Sequence, residues 1–559
     1  MDKFAVARVL DEIARYAELS EPNRFKSQAF ERAARSVRSL DRDVAELVAS
    51  GELTKMPGIG KATAAIIEEL VRQGTSRYLD DLRAQFPPGI FELMRVPNLG
   101  LKKIGIIHEK LGVGSLDELE AAAKEGRLAS LRGFGAKTQQ KILENIEKAR
   151  RRESQFLLPV GIEAGGMLRE QLALIDAVDD CEISGSVRRR LEVIRNVNLV
   201  VATRARERVT GALRNLVDEL TIVDDDTVKG IVNGEIDAWF HFAAPSEFGV
   251  RMLQTTGTRE FVEAMPAKLR GKTEHDVFRN AGVPYVEPEL RENADVLKRK
   301  RRTKLVDIND LRGTFHVHTT FSDGRNTVLE MLDAARERGF EYVGLSDHSK
   351  AAFYANGLDE AGLKIQWREI DAQSKRVNPM RVFRGTEADI LQDGSIDYGP
   401  ETLSKFDFVI ASIHSRFGMP KDEMTERILR ALDDPYVTFL GHLTGRLLLS
   451  RDGYTMDFDR VFERAGERGV MIEINGNPNR LDIDWRLIRR ALDRGVLFSI
   501  NPDAHSTREY AALISGTWVA RKAGLSAREI FNTREVAAVR EHLESRRQKA
   551  EGRSARATR

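Results

Sequence analysis

A chain of 559 residues, 42% hydrophobic and 31% charged, carries apolar content for several cores and is too long for one. A net charge of +2 excludes a uniformly basic surface, so any grip on a phosphate backbone must come from local features. The single cysteine, Cys181, leaves no intrachain disulfide and no cysteine zinc cluster; no apolar run reaches a membrane span, and Met1-Asp2-Lys3-Phe4 lacks a signal pattern, so a cytoplasmic protein without membrane contact is expected.

Residues 1–80 and 81–154 read as short amphipathic helices separated by three related turns. These are Pro57-Gly58-Ile59-Gly60-Lys61, Pro97-Asn98-Leu99-Gly100-Leu101-Lys102, and Arg132-Gly133-Phe134-Gly135-Ala136-Lys137. A Gly-apolar-Gly turn ahead of a helix exposes backbone N–H groups that can hold a phosphate oxygen. In this reading the central apolar residue anchors the turn and the lysine adds attraction. The expected DNA contacts are Gly58, Gly60, Lys61, Gly100, Lys102, Gly133, Gly135 and Lys137. Asn98 stands where the second copy lacks its first glycine, and Asn tolerates positive φ. The turns resemble the helix-hairpin-helix, a sequence-independent DNA-backbone binder; ordinary helix connections are the alternative. The implied partner is duplex, gapped or 3′-ended DNA.

Over 155–240 a strand enters Gly185-Ser186-Val187-Arg188-Arg189, and Asn196-Val197-Asn198 opens another strand with both asparagines on one face. This segment, with 241–290 as a thumb, resembles the α+β nucleotidyltransferase palm of family X DNA polymerases. In that family the positions of Asn196, Asn198 and Asp237 are three aspartates that hold magnesium. Two neutral amides remove two charges from such a site, so Mg²⁺ at the palm and templated synthesis are not expected. Gln254-Thr255 replaces the family's Tyr-Phe, and Ile66 falls near its lyase lysine. Gly185, Ser186 and Arg189 are left to hold a nucleotide weakly. A basic linker is expected over 291–312, as a solvated connector or a phosphate contact, and a disordered basic tail over 541–559.

Residues 313–540 alternate apolar strands with amphipathic helices such as Thr327 to Arg338 and Phe458 to Arg468, the pattern of a parallel barrel. Six of the 10 histidines lie between His316 and His505. His316 and His318 alternate along one strand, which alone fits packed histidines as well as a metal site. Six of the seven strands, however, end in ligand chemistry: His316 and His318 with Asp323, then His348, Glu387, His414, His442, and Asp503 with His505. In a parallel barrel such ends meet on one rim. Mixed imidazole and carboxylate donors suit Mn²⁺, Zn²⁺ or Fe²⁺ better than Ca²⁺.

The region resembles the PHP (polymerase and histidinol phosphatase) domain, and the whole chain resembles bacterial family X polymerases with a C-terminal PHP domain. That resemblance implies a multidomain protein ending in a (β/α)7 barrel. It also implies three divalent metals on the nine side chains, and 3′-directed phosphoesterase activity on DNA centred on His316, His318 and Asp503. Glu473 belongs to the pattern as an orienting group. Arg416 and Arg446 are candidate phosphate clamps. The expected function is 3′-end processing in DNA repair by a monomer. A gap-filling polymerase with a proofreading barrel, a non-catalytic DNA-end scaffold, and a small-molecule phosphatase are the alternatives.

Overall fold

The computed structural model describes residues 3–20, 24–38, 43–56, 58–87, 89–96, 99–152, 154–232, 234–298 and 304–557. The chain divides into two compact units, Met1–Glu153 and Ser154–Arg559. No described helix is long and apolar enough to cross a membrane.

In the first unit, helices Lys3–Ser20, Arg24–Arg38, Lys61–Gln73, Leu101–Leu111 and Ala136–Arg152 bury apolar residues at helical spacing, for example Ala64, Ile67 and Leu70. Leu10, Ile67, Ile104 and Ile146 meet in one core. The expected segments 1–80 and 81–154 therefore share their interior.

The second unit opens with a mixed sheet. Its strands are β1 (Asp180–Ser184), β2 (Asn196–Ala202), β3 (Asp218–Asp224), β4 (Thr227–Val232) and β5 (Ile236–Ala243), in the order β1-β2-β5-β4-β3. Only β2 and β5 run parallel, and their register sets Asn196 beside Asp237. A separate core around Leu253, Phe261 and Phe278 follows. It reaches into the segment expected as a linker: Arg291 is fully buried and pairs with Glu274, and Val296 is buried. Beyond the basic run, whose residues 299–303 lie outside the described set, the Val306 N–H donates to the Leu525 carbonyl. Both flanks of the basic run are packed, while Lys298 and Lys304 at its described ends are exposed.

Seven parallel strands then follow in chain order: β6 (Gly313–Val317), β7 (Tyr342–Leu345), β8 (Arg381–Asp389), β9 (Phe408–Ser412), β10 (Phe439–Leu440), β11 (Met471–Asn475) and β12 (Phe498–Asn501). The sheet curls until its edges nearly close. The His318 N–H donates to the Ala504 carbonyl at 2.9 Å, and the Ala504 N–H to the His316 carbonyl at 3.1 Å. Thr327 and Glu330 form a capping box on the first outer helix, Val328–Glu337. Left-handed Gly469 ends helix Phe458–Arg468.

Aromatic rings plug the barrel's lower interior: Phe315 packs on Phe408 and Phe439 at centroid distances of 5.0 and 5.1 Å. Gly344 and Gly385 make room for them, since a Cβ at either would fall within 2.7 Å of the Phe408 ring. The plug leaves the upper rim as the open end.

The barrel carries the palm on one side. Arg486 and the Trp485 indole N–H bind Glu192, and Trp518 packs on the palm core beneath Arg190. Lys522 bonds Glu292 and the Arg189 carbonyl, and burial pulls its ammonium down to about 8 despite Glu292.

The expected disordered tail, 541–559, is corrected over its described part. Residues Val536–Ala557 form one helix whose Val539 and Leu543 join the aromatic plug and whose Ala550 is buried. Arg546 donates to the carbonyls of Arg468, Gly469 and Val437. The apolar spacing is sparse, and the half-buried Arg546 fills a turn that hydropathy assigns to water. Leu543→Ala is expected to destabilise the second unit by about 2–5 kcal/mol, read from the denaturant midpoint. Exposed Gln548→Ala on the same helix should leave the midpoint in place, and equal midpoints for both variants would mean a frayed tail.

Candidate functional site

All nine histidine, aspartate and glutamate residues expected at the barrel rim meet there. Their donor atoms form four overlapping groups, each with all atoms within 4.8 Å of one another: His318, Asp323, His348 and His505; His316, His318 and Asp503; His316, Glu387 and His442; His348, Glu387 and His414. No other such group occurs among the described residues.

The strand chemistry behind this differs from simple alternation. Phe315 lies in the interior plug and Val317 in the outer core, two residues that a regular strand would place on one face. A positive φ of 61° at His316 and a break in the β6–β7 register turn the strand. His316 and His318 both end inside the rim as a result. His442 (φ 22°) and Asp503 (φ 54°) are also left-handed, a costly backbone for non-glycine residues that clusters at functional sites.

Glu387 on β8 is the hub. Its carboxylate lies 2.9 Å from His442 Nε2, 3.0 Å from His348 Nδ1, 3.2 Å from His414 Nε2 and 3.3 Å from His316 Nε2. Asp503 Oδ1 sits 3.3 Å from both His316 Nε2 and His318 Nε2. Asp323, more exposed, lies 3.3 Å from His505 Nε2 and 3.6 Å from His348 Nε2.

Burial opposes charge on Glu387, Asp503, His316 and His318, but the mixture decides the outcome. Against their desolvation, the surrounding imidazoles hold Glu387 and Asp503 well below the usual carboxylate range. Burial, with His505 and His348 beside it, pushes His318 down to about 3, leaving it neutral. Burial also opposes charge on His316, yet Glu473, Asp503 and Glu387 outweigh it and raise the imidazole well above its ordinary value. Ionised carboxylates, a neutral imidazole and a field that favours positive charge are what a divalent cation requires. The donor set fits such ions on a second count. His316 Nε2, both nitrogens of His318, His348 Nδ1 and His442 Nδ1 are buried without a hydrogen-bond partner.

A supporting layer fixes these rings. Glu473 Oε1 lies 2.6 Å from His316 Nδ1, while its Oε2 accepts the His442 N–H at 2.7 Å; Asn475 and Asn501 bond the same carboxylate. Asp389 Oδ1 lies 2.7 Å from His414 Nδ1. Asp347 accepts from the Thr319 N–H, Ser322, and Gln366, tying down the loop that carries Asp323. Sequence reasoning singled out Glu473 in this layer but missed Asp347, Asp389, Asn475 and Asn501. Each follows or adjoins a ligand-type residue at a strand end, which is the signal that could have found them.

Of the two candidate phosphate clamps, Arg416 is exposed on the loop after His414 and makes no ion pair among the described residues. Arg446 is a correction. Its guanidinium bonds Asp484 at 2.7 Å and the carbonyls of Arg480 and Leu481, so each of its three nitrogens is engaged in bracing a loop. The braced loop instead brings Arg480, absent from the sequence reading, to 3.8 Å from Asp503.

In the first unit the three turns share their design. Ile59, Leu99 and Phe134 are buried, while Lys61, Lys102 and Lys137 are exposed. Gly60 and Gly100 cap their helices without a side-chain bond, leaving the first amides open, and Gly58 and Gly133 have φ of 82° and 92°. Gly135 directly precedes helix Ala136–Arg152. Asn98 lies outside the described residues.

In the palm, Gly185 and Ser186 open the turn Gly185–Arg188. Asn198 Nδ2 donates to Asn196 Oδ1 at 2.7 Å, and Asn198 Oδ1 lies 2.9 Å from His241 Nε2. Burial, with Arg251 nearby, lowers His241 to about 4 and keeps it neutral. Asp237 pairs with Lys229 at 3.0 Å. Arg189, expected to hold a nucleotide, is instead bonded to Glu292 and the Thr256 carbonyl, because the packed Glu292 shared with Lys522 draws it inward.

Comparison with known proteins agrees with this layout. Residues 1–76 match the helix-hairpin-helix domain family, 90–148 the SAM-like helix-hairpin-helix tandem, and 314–477 the PHP domain. The DNA polymerase/3′-5′ exonuclease PolX of Bacillus subtilis (strain 168) is 31% identical over 562 residues, covering 96% of this chain and 98% of that protein. The chain belongs to the PolX family. Its barrel alone is similar to a probable phosphatase of Thermoanaerobacter sp. (strain X514), 25% identical over 42% of this chain and 96% of that protein. A probable phosphatase of Clostridium acetobutylicum is 31% identical over 34% of this chain and 77% of its own length.

Removing the Arg446 brace by Arg446→Ala should lower stability by about 1–3 kcal/mol through the unpaired carbonyls of Arg480 and Leu481, Asp484 keeping Arg486. Arg416→Ala should leave the thermal midpoint unchanged, and a null effect of Arg446→Ala would return that residue to the set of possible ligand contacts.

Proposed function

We propose that this PolX-family chain is a divalent-metal-dependent phosphoesterase that shortens or cleans DNA 3′ ends and cuts at abasic sites. The convergence of nine ionisable side chains at one barrel rim carries this reading. His316, His318, Asp323, His348, Glu387, His414, His442, Asp503 and His505 would hold three ions of Mn²⁺, Zn²⁺ or Fe²⁺. Such ions, when bound, ionise water near neutral pH and neutralise phosphate oxygens. The chain's own groups do the rest. Glu473 holds His316 by Nδ1 and so directs Nε2 at Glu387 and Asp503. The plug below the rim closes the barrel's other end. Arg416 and Arg480 offer guanidinium groups to a phosphodiester. The N-terminal turns, with backbone amides and Lys61, Lys102 and Lys137, would hold the DNA backbone whatever its sequence.

With Mn²⁺ the full chain should shorten a labelled 3′ end. His316→Ala or Asp503→Ala should slow that by at least about a hundredfold, the scale of losing one preorganised electrostatic element. Chelation should stop the reaction and added Mn²⁺ restore it. Undiminished shortening by both variants would refute the assignment.

We further propose that the palm does not extend primers. Asn196 and Asn198 satisfy each other and His241, and Asp237 is held by Lys229, so no cluster of anionic oxygens is offered to magnesium. The B. subtilis relative is named a polymerase as well as an exonuclease, which makes the opposite outcome concrete. On a gapped primer with Mg²⁺ or Mn²⁺, no extension is expected; extension abolished by Asp237→Ala would establish a gap-filling polymerase with a proofreading barrel.

A further inference from the structure

Five residues past the rim ligand His348 the chain makes a short turn, Phe353–Ala355, whose two rings face water. Phe353 is 85% exposed and Tyr354 60%; no other aromatic ring among the described residues is exposed to this degree. The backbone beneath them is firmly held. The Ser349 N–H donates to the Glu387 carbonyl, the Ala351 N–H to Asp397, and the Leu358 N–H to the His348 carbonyl, while Ala352 and Ala355 are buried. A fixed turn that keeps its small residues inside and two large rings outside leaves apolar surface uncovered, and such surface marks a binding site.

Its position says what binds. The Tyr354 ring centroid lies 6.3 Å from that of His414 and 6.4 Å from that of His348, with Phe353 a further 6.1 Å away at 77°. A phosphodiester held at the rim has its own nucleobase one sugar away, a span that reaches Tyr354, and the neighbouring base reaches Phe353. Every base has a π-face, so aromatic side chains bind single strands with little sequence preference. A paired base has its faces already stacked, so the rings select an unpaired end.

We propose that Phe353 and Tyr354 form a stacking platform for the terminal bases of a DNA strand unpaired at its 3′ end. The platform determines specificity and rests on the phosphoesterase reading above. The test uses the full chain with Mn²⁺ and two single-stranded oligonucleotides, one ending in thymidine and one in a tetrahydrofuran nucleotide that lacks a base. Wild type should favour the base-bearing end in kcat/KM. In Phe353→Ala/Tyr354→Ala the KM for that end should rise about tenfold or more, and the ratio between the two ends should fall towards one. Phe353→Trp and Tyr354→Phe should keep the wild-type ratio, since both keep a ring. An unchanged ratio in the double alanine variant overturns the platform, as does an equal loss on both ends, which would mark a role in folding or chemistry. A wild-type chain that cleaves neither oligonucleotide with Mn²⁺, Zn²⁺ or Fe²⁺ overturns the phosphoesterase reading itself.

Discussion

One buried carboxylate, Glu387, facing four imidazoles within 3.3 Å is the contact on which the C-terminal half depends. An isolated ionised carboxylate in a protein interior costs several kcal/mol, and only matched charge and hydrogen bonds make it tolerable. The seven-stranded ring supplies that match by bringing partners from four strands to a single point. The same balance explains the surrounding amides: Asn475 and Asn501 satisfy Glu473 without adding charge. The rim is an electrostatic construction standing on an apolar one, because the phenylalanine plug and the C-terminal helix hold the strands whose ends must meet.

The palm runs the argument in reverse. Where the family resemblance implies three carboxylates, the chain has two amides that bond to each other and to a neutral histidine, and one carboxylate paired with a lysine. These polar groups are satisfied within the protein. Arg189 has followed the same course, turning from the cleft to Glu292.

Much of this was legible in the residues. Seven apolar runs foretold seven strands, and the nine ionisable side chains at their ends meet at one rim because parallel strands share a direction. What periodicity could not convey was backbone geometry and long-range pairing. Alternation places His316 and His318 together, yet the left-handed turn at His316 is what brings both inside above Phe315. Arg446 looked like a phosphate ligand from its place after His442; only the fold reveals that Asp484 and two carbonyls have claimed it. The helix Val536–Ala557 escaped notice because its anchor at one turn is an arginine capping other segments' carbonyls, a role invisible to hydropathy. The exposure of Phe353 and Tyr354 has no signal in the residue pattern around them.

The seam between palm and barrel bears on why the two stay in one chain. Trp485 and Trp518 lie against it, and Lys522 finds its counter-charge in Glu292, on the far side of that seam. The stand-alone phosphatases that resemble the barrel span little more than its length. Here, excising the barrel would uncover two indoles and return the Lys522 ammonium to water without Glu292. In this chain the mixed sheet covers those indoles, and the segment that follows it supplies the carboxylate.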